Sequence, residues 1–584
     1  MADKILNSFD VWIGAQGWKS KLRLKSVDNI SLEGVDRLRE LILDLAVQGK
    51  LVPQDRSDEP ADILLEKISR DKKQLISDGK IKKEKLEHIK SATEKLFQIP
   101  PTWRFARFSD ISYLITDGTH HTPKYVSEGI PFLSVKDMSG GFLDFSQTRF
   151  VSEEQHKELI KRCNPQKGDL LLTKVGTTGI PILVETDRPF SIFVSVALIK
   201  FPKLLIDGRY LSLSIKSPFV KNQSEEGTEG IGNKNLVLRK IESFTIPLPP
   251  LAEQHRIVAK VDELMSLCDE LEQQETNHLK SHQLLVETLL GTLTQAKDAA
   301  EFQTAWATLA QHFDDLFITE DSIDQLKQTI LQLAVMGKLV SQDPKDEPAS
   351  VLLERIKKDK ERLIELGEIK KEKPLPAIQA AEIPFNPPIA WEFARLGEIT
   401  NKIGSGSTPR GGRESYSNEG ILFLRSQNIR DHGLELSDVA FITEETHERM
   451  SGTKVYPNDI LLNITGGSLG RSTIFPDDAE EANVSQHVTI IRPTNPDTRF
   501  FLHMCIVSPY GQELIWGRQV GANREGLSKK VLELFEIPIP PLKEQKRIIR
   551  KVNELFALCD SLKERITEAQ KVANLMADSI LEQV

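Results

Sequence analysis

The side chains of this sequence best suited to chemistry lie in short glycine-rich loops. One set comprises Thr119, His120, His121 and Lys124 in DGTHHTPK, Lys174, Thr177 and Thr178 in KVGTTG, and Asn233, Lys234 and Asn235 in GIGNKN. A second comprises Ser405, Ser407, Thr408, Arg410 and Arg413, then Asn463, Ser468 and Arg471 around NITGGSLGR, then Asn523, Arg524 and Lys529. Glycine lets backbone come close to a phosphate, hydroxyls and amides can donate to it, and Arg, Lys and Asn can pair with base edges. The chemistry on offer is hydrogen bonding, to phosphate or to the polar edge of a base. Any single loop of this kind could equally be a plain surface turn, since Gly, Ser, Thr and Asn form turns in every class of protein. The weight lies in two matched sets. Arg425 and Asn428, opposite Lys136, are weaker candidates, because a strand-end position can be purely structural.

Catalytic signatures are incomplete. No G-x-x-x-x-G-K-[ST] loop exists, and Gly49-Lys50 and Gly337-Lys338 are each followed by Leu at a helix end, so they make no ATP cradle. Gly466-Gly467-Ser468-Leu469-Gly470 follows a strand, but RSTIFP does not start the helix that a dinucleotide site needs. Asn386-Pro387-Pro388 matches the NPP core of adenine methyltransferases, yet Ile389 stands where those enzymes place an aromatic residue. With Ile99-Pro100-Pro101 at nearly the same place in the first half, a rigid linker is the simpler reading. Pro476-Asp477-Asp478 lacks the acidic-x-Lys continuation of a nuclease. His120 and His121 have no third ligand nearby, and Cys163, Cys268, Cys505 and Cys559 form no C-x-x-C pair, so neither a metal site nor a disulfide framework is expected. The chain reads as a binding protein, not a catalyst.

The elements that must position these loops come in two copies. IPLPPLAEQHRIVAKVDELMSLCDEL from Ile246 returns as IPIPPLKEQKRIIRKVNELFALCDSL from Ile537. In the first, Ile257, Val261, Leu264, Cys268 and Leu271 make a heptad seam along one helix face; in the second, Ile548, Val552, Leu555, Cys559 and Leu562 do. Glu253 and Glu544 suit the positive first turn of each helix. Such a helix would be about 60 Å long at ~1.5 Å per residue. Upstream, an apolar helix from about Val35 to Gln48 stops at Gly49, and a charged helix from Ala61 ends near Gly79; both recur before Gly337 and Gly367. Trp103 and Trp391 are 288 residues apart, whereas Ile246 and Ile537 are 291 apart. The chain is thus a tandem duplication, for which a pseudo-two-fold molecule is expected rather than a solenoid.

At 584 residues several domains are expected. They are an N-terminal segment, 1–34; a helical repeat, 35–100; a middle domain, 101–245; a long helix, 246–292; a helical linker, 293–322; a second helical repeat, 323–388; a second middle domain, 389–536; and a second long helix, 537–584. The middle domains mix short strands with turns and have diverged strongly, while the helices around them have not. The formal net charge of −9 argues against non-specific coating of nucleic acid, though not against local basic loops. No apolar run of about 18 residues exists and Met1–Trp12 interleaves charges, so no membrane span or signal peptide is expected and the location expected is cytoplasmic.

With its paired IPxPPLxEQxRI segments, two Trp-led variable domains and ILxLAVxGKLV repeats, the sequence resembles the specificity subunits of type I restriction-modification enzymes. The resemblance implies an α+β fold with two target-recognition domains separated by long paired, coiled-coil helices. It implies a non-catalytic subunit whose domains each read one half of an interrupted, asymmetric target in double-stranded DNA. It further implies that the helices set the spacing and dock two methyltransferase subunits, that restriction/translocase subunits join, and that S-adenosylmethionine, ATP and magnesium serve those partners, with no cofactor in this chain. Two other readings compete: a coiled-coil scaffold without DNA recognition, and a DNA adenine methyltransferase in its own right. The first leaves the matched polar loops unexplained; the second lacks its motifs.

Overall fold

The computed structural model describes residues 12, 17–18, 30–81, 97–229, 235–297, 299–409, 415–518 and 526–583. They form two compact units, Met1–His278 with Gln570–Val584, and Leu279–Ala569.

In the first unit, helix α1 (Glu33–Val47) buries Val35, Leu38, Ile42, Leu45 and Ala46, the i, i+3, i+4 stripe of its sequence. Gly49 ends it with φ +72°, letting Lys50 N–H reach the Leu45 carbonyl at 3.0 Å. Helix α2 (Ala61–Ser77) follows. The middle domain opens with β1 (Arg104–Arg107) and continues through β2 (Leu114–Asp117), β3 (Leu170–Thr173), β4 (Pro181–Leu183) and β5 (Val196–Lys200) to β6 (Thr245–Leu248). Strands β2, β5, β3 and β4 form one antiparallel sheet in that order, with Ile115 opposite Ile199 and Leu198 opposite Leu171. Its apolar runs are unbroken because both faces are buried. Leu170, Leu172, Ala197 and Ile199 join one core, whereas Leu171, Val196 and Leu198 join another with Leu133 and Ile192 of a second small sheet. The ends of the domain close on each other, since β1 pairs with β6, Ala106 opposite Ile246. Helix α3 (Leu251–Thr294) begins three residues after β6.

The second unit repeats the plan. After α4 (Ala299–Ala310) come α5 (Glu320–Val335) and α6 (Ala349–Glu365), then β7 (Glu392–Arg395), β8 (Thr400–Ser405), β9 (Ile460–Asn463), β10 (Ser472–Ile474), β11 (Val488–Pro493), β12 (Glu536–Ile539) and α7 (Leu542–Gln583). The sheet order is β8, β11, β9, β10, and β7 pairs with β12, Ala394 opposite Ile537.

The heptad seams are buried within the units. Ile257, Val261, Leu264 and Cys268 pack into one cluster with α1 residues and with Ala577 from the far end of α7, while Leu271 is half-buried. Ile548, Val552, Leu555 and Cys559 pack into a cluster with α5 residues and with Val286, Leu290 and Leu293 from the far end of α3, and Leu562 is partly buried against it. Burial pushes the Cys268 and Cys559 thiols up to about 11, so they behave as apolar seam residues.

Glu253 and Glu544 do more than complement a helix dipole. Both are buried, and Glu253 accepts from the Trp103 indole N–H at 2.9 Å and from Gln54 at 2.5 Å. Glu544 accepts from Trp391 at 3.1 Å and Gln342 at 2.7 Å. Beside them run the ion pairs Arg256 with Asp58, 2.5 Å, and Arg547 with Asp346, 2.7 Å. A Cβ on Gly49 or Gly337 would come within 2.5 Å of Pro100 or Pro388. The Pro-Pro pairs before each Trp therefore seat the indole against the helical repeat.

Burial pushes the Glu544 carboxyl up to about 7 despite its donors and Arg547. A carboxyl raised from 4.5 in the unfolded chain adds stability at low pH that is lost as pH rises toward 7 and beyond. Glu544→Gln keeps an acceptor for Trp391 and removes that loss, so its stability relative to wild type should rise by about 2.5 kcal/mol between pH 5 and pH 8, read from denaturant unfolding at each pH. Gly337 and Gly367 have similar φ, +73° and +76°, but only Gly337 is crowded. Gly367→Ala should cost about 1 kcal/mol and Gly337→Ala at least twice that in the same assay.

Candidate nucleic-acid interface

In the first domain the loops meet at one end of the β2–β5–β3–β4 sheet. Asp117 closes β2 with its carboxylate almost fully buried. One oxygen accepts from Lys174 Nζ at 2.8 Å; the other accepts from Arg162 Nη2 at 2.8 Å and meets His120 Nε2 at 3.1 Å. Burial alone would raise the Asp117 pKa, but Lys174 and His120 hold it below the usual carboxylate value. Gly118 lies so close to the Ile192 carbonyl that a Cβ would sit 2.0 Å from it. Thr119 bridges to Phe193, Val175 bridges to Asn235, and the Asp117–Lys174 pair links the first loop to the second.

The second domain holds the same backbone frame. Gly406 presses on the Val484 carbonyl, Ser407 N–H donates to it at 3.2 Å, and Thr465 bridges to Gly526. Lys174 N–H donates to the Ser195 carbonyl and Ile464 N–H to the His487 carbonyl, so Lys174 corresponds to Ile464, one place on from Asn463, and Ser195 to His487. Asp117 likewise corresponds to Ser405. The Asp–Lys pair of one domain is replaced as a unit by Ser and Ile in the other.

Residues expected to touch nucleic acid fall into three groups. Thr119, His120, His121, Lys124, Thr177 and Thr178 lie on the exposed or half-exposed surface of the first domain, with Asn235 half-buried beside them; Ser405, Ser407 and Thr408 are exposed in the second, with Ser468 and Arg471 half-buried. Lys174 and Asn463 depart from the expectation. Lys174 is buried and committed to Asp117, and Asn463 is fully buried, donating to the Ser426 carbonyl at 2.8 Å. Lys529 is exposed but paired with Glu372 at 2.5 Å and Glu533 at 3.2 Å. Asn233, Lys234, Arg410, Arg413, Asn523 and Arg524 lie outside the described residues. Asn428 is buried and caps its own turn, accepting from Arg425 N–H at 2.9 Å, whereas Lys136 is exposed.

Three side chains that the sequence loops did not single out belong to these sites. Arg162, 42 positions from His120 in sequence, reaches its ring at 3.2 Å and carries no local motif. Gln486 and His487 sit exposed at the turn into β11, next to Thr408 and Thr465. Their signal is legible: a polar pair interrupting the apolar run ANVSQHVTII. Among the described residues no group of three or more His, Cys, Asp or Glu could hold a metal ion, and no helix is long and apolar enough to cross a membrane.

Residues 100–281 and 388–571 each match the family described as type I restriction modification DNA specificity domain. The chain belongs to that family. It is 36% identical to the type I restriction enzyme EcoAI specificity subunit of Escherichia coli, over 99% of this chain and 98% of that one. It is 34% identical to the EcoEI specificity subunit of Escherichia coli over the same shares. A solved HsdS subunit from Thermoanaerobacter tengcongensis is 17% identical, covering 83% of this chain and 98% of that one with a TM-score of 0.41. The two family matches each begin just ahead of a Trp and end within a long helix, so each takes in the Trp–Glu hydrogen bond, the variable sheets and the seam residues of its long helix.

Removing Lys174 leaves the Asp117 carboxylate buried with fewer cations. Lys174→Met should destabilise the first unit by about 3 kcal/mol, whereas the exposed Lys124→Ala should stay within ~0.5 kcal/mol, both read by denaturant unfolding.

Proposed function

We propose that this chain is the DNA-reading subunit of a type I restriction-modification complex, each middle domain, 101–245 and 389–536, reading one half of a bipartite, asymmetric target in double-stranded DNA. The observation that carries this is the pair of matched loop clusters: one backbone frame, held by Gly118 in one copy and Gly406 in the other, presents different polar side chains. Asp117, His120 and Arg162 stand in the first, and Thr408, Gln486 and His487 in the second. A duplicated frame with unlike contacts fits a two-part target with unlike halves. The contacts to phosphate and base edges fall to the exposed loop residues Thr119, His120, His121, Lys124, Thr177 and Thr178, and Ser405, Ser407 and Thr408, with Arg471 and Lys529 as further candidates.

The long helices α3 and α7, 44 and 42 residues long, fix the distance between half-sites and dock two methyltransferase subunits, to which restriction/translocase subunits are added. The chain has no catalytic role of its own. S-adenosylmethionine, ATP and magnesium belong to those partners, and the complex works in the cytoplasm.

The test is selection of bound sequences from random duplex DNA, with the chain co-expressed with its methyltransferase partner. The wild type should return a two-part motif with a fixed gap. A chimaera carrying the corresponding middle domain of the EcoAI relative in place of residues 101–245 should change one half and leave the other half and the gap intact. No motif, or a change in both halves, overturns the proposal.

A further inference from the structure

In the second domain the turn between the strand Ala482–Val484 and β11 carries two exposed polar side chains that the family match does not assign. Their backbone is fixed: Val488 N–H donates to the Ser485 carbonyl at 3.0 Å, Gly406 N–H to the Val488 carbonyl at 3.0 Å, and Ile464 N–H to the His487 carbonyl at 3.0 Å. Their side chains are fixed as well. Thr408 Oγ1 donates to Gln486 Oε1 at 3.2 Å, Gln486 Nε2 lies 3.4 Å from His487 Nε2, and His487 Nδ1 lies 2.7 Å from Thr465 Oγ1; with the amide placed so, the Nδ1–H tautomer of His487 satisfies both contacts. Thr465 is in turn bridged to Gly526.

This relay uses one hydrogen of the Gln486 amide and one lone pair of its oxygen. An amide has two of each, so one N–H and one carbonyl lone pair of the same planar group remain unpaired among the described residues. Reversing every hydrogen bond of the relay leaves the same pair. An adjacent donor and acceptor match the N7 acceptor and N6–H donor that adenine shows in the major groove. Guanine shows two acceptors there, so one would face the amide oxygen; cytosine offers only its N4–H donor, and thymine an acceptor and a methyl group. A glutamine already held by two neighbours also gives up less rotamer freedom on binding than a free one. The corresponding turn of the first domain carries Val194 and Ser195, so the feature is particular to the second.

We infer that Gln486, oriented by Thr408 and His487, reads an adenine in the half-site of the second domain through a bidentate contact in the major groove. This rests on the DNA-reading function proposed above.

The test uses the chain with its methyltransferase partner and compares bound-sequence selections for wild type, Gln486→Ala and Gln486→Glu. Wild type should show adenine strongly preferred at one position of one half-site. Gln486→Ala should lose about tenfold or more of that preference at that position alone. Gln486→Glu, which offers only acceptors, should move the preference there toward cytosine. The side chain is exposed and uncharged, so both variants should melt as wild type does, and Gln486→Ala, which changes no charge, should keep the wild-type salt dependence of binding. An unchanged motif in Gln486→Ala overturns the inference while leaving the DNA-reading function in place. So does a uniform loss of affinity across all sequences, which marks a backbone contact. No motif from wild type overturns both.

Discussion

Everything in this chain hangs on two buried carboxylates. Glu253 and Glu544 begin the long helices, and each is tolerated inside the protein only because an indole N–H and a glutamine amide donate to it while an Arg–Asp pair stands beside it. That single cluster fixes three things at one point: the end of the helical repeat, through the crowded Gly49 or Gly337; the entrance of the middle domain, through Trp103 or Trp391; and the start of the long helix. The pairing of β1 with β6, and of β7 with β12, then closes each domain within a few residues of the same point. A domain entered and left at one rigid place can change its interior without moving the frame. That is a physical reason for inserts that have diverged within helices that have not.

Within the inserts the same separation recurs on a smaller scale. The sheet, the two glycines against carbonyls and the strand-end bridges are common to both domains, whereas the polar groups they present are not. In the first, a buried carboxylate demands cations, and Lys174 and Arg162 pair with it while His120 stands at hydrogen-bond distance. In the second, Ser405 and Ile464 remove both the charge and the need for its partner, and a neutral relay of hydroxyl, amide and imidazole occupies the surface instead. A buried ion pair must be kept or replaced whole, since either half alone is costly. The domains therefore differ by a concerted change, not by scattered substitutions.

The long helices owe their order to the same economy of burial. Each seam packs its first half against the short helix of its own repeat and against the terminal part of the other long helix, within one compact unit. Cys268 and Cys559 take core positions in these seams, with thiols raised by burial and so unreactive.

The sequence alone determined the duplication, the helix limits at Gly49, Gly79, Gly337 and Gly367, and the seams, because periodicity and left-handed glycine caps are local signals. It also located the loops around Thr119, Thr177, Ser407 and Ser468, since turn chemistry is written in adjacent residues. Tertiary structure decided the rest. Whether Lys174 faces water or Asp117, 57 positions away, depends on a strand pairing that no local pattern carries. The same holds for Glu253 with Trp103 and for Arg162 with His120. Burial and long-range partners decide what a polar side chain does, and both belong to the folded chain as a whole.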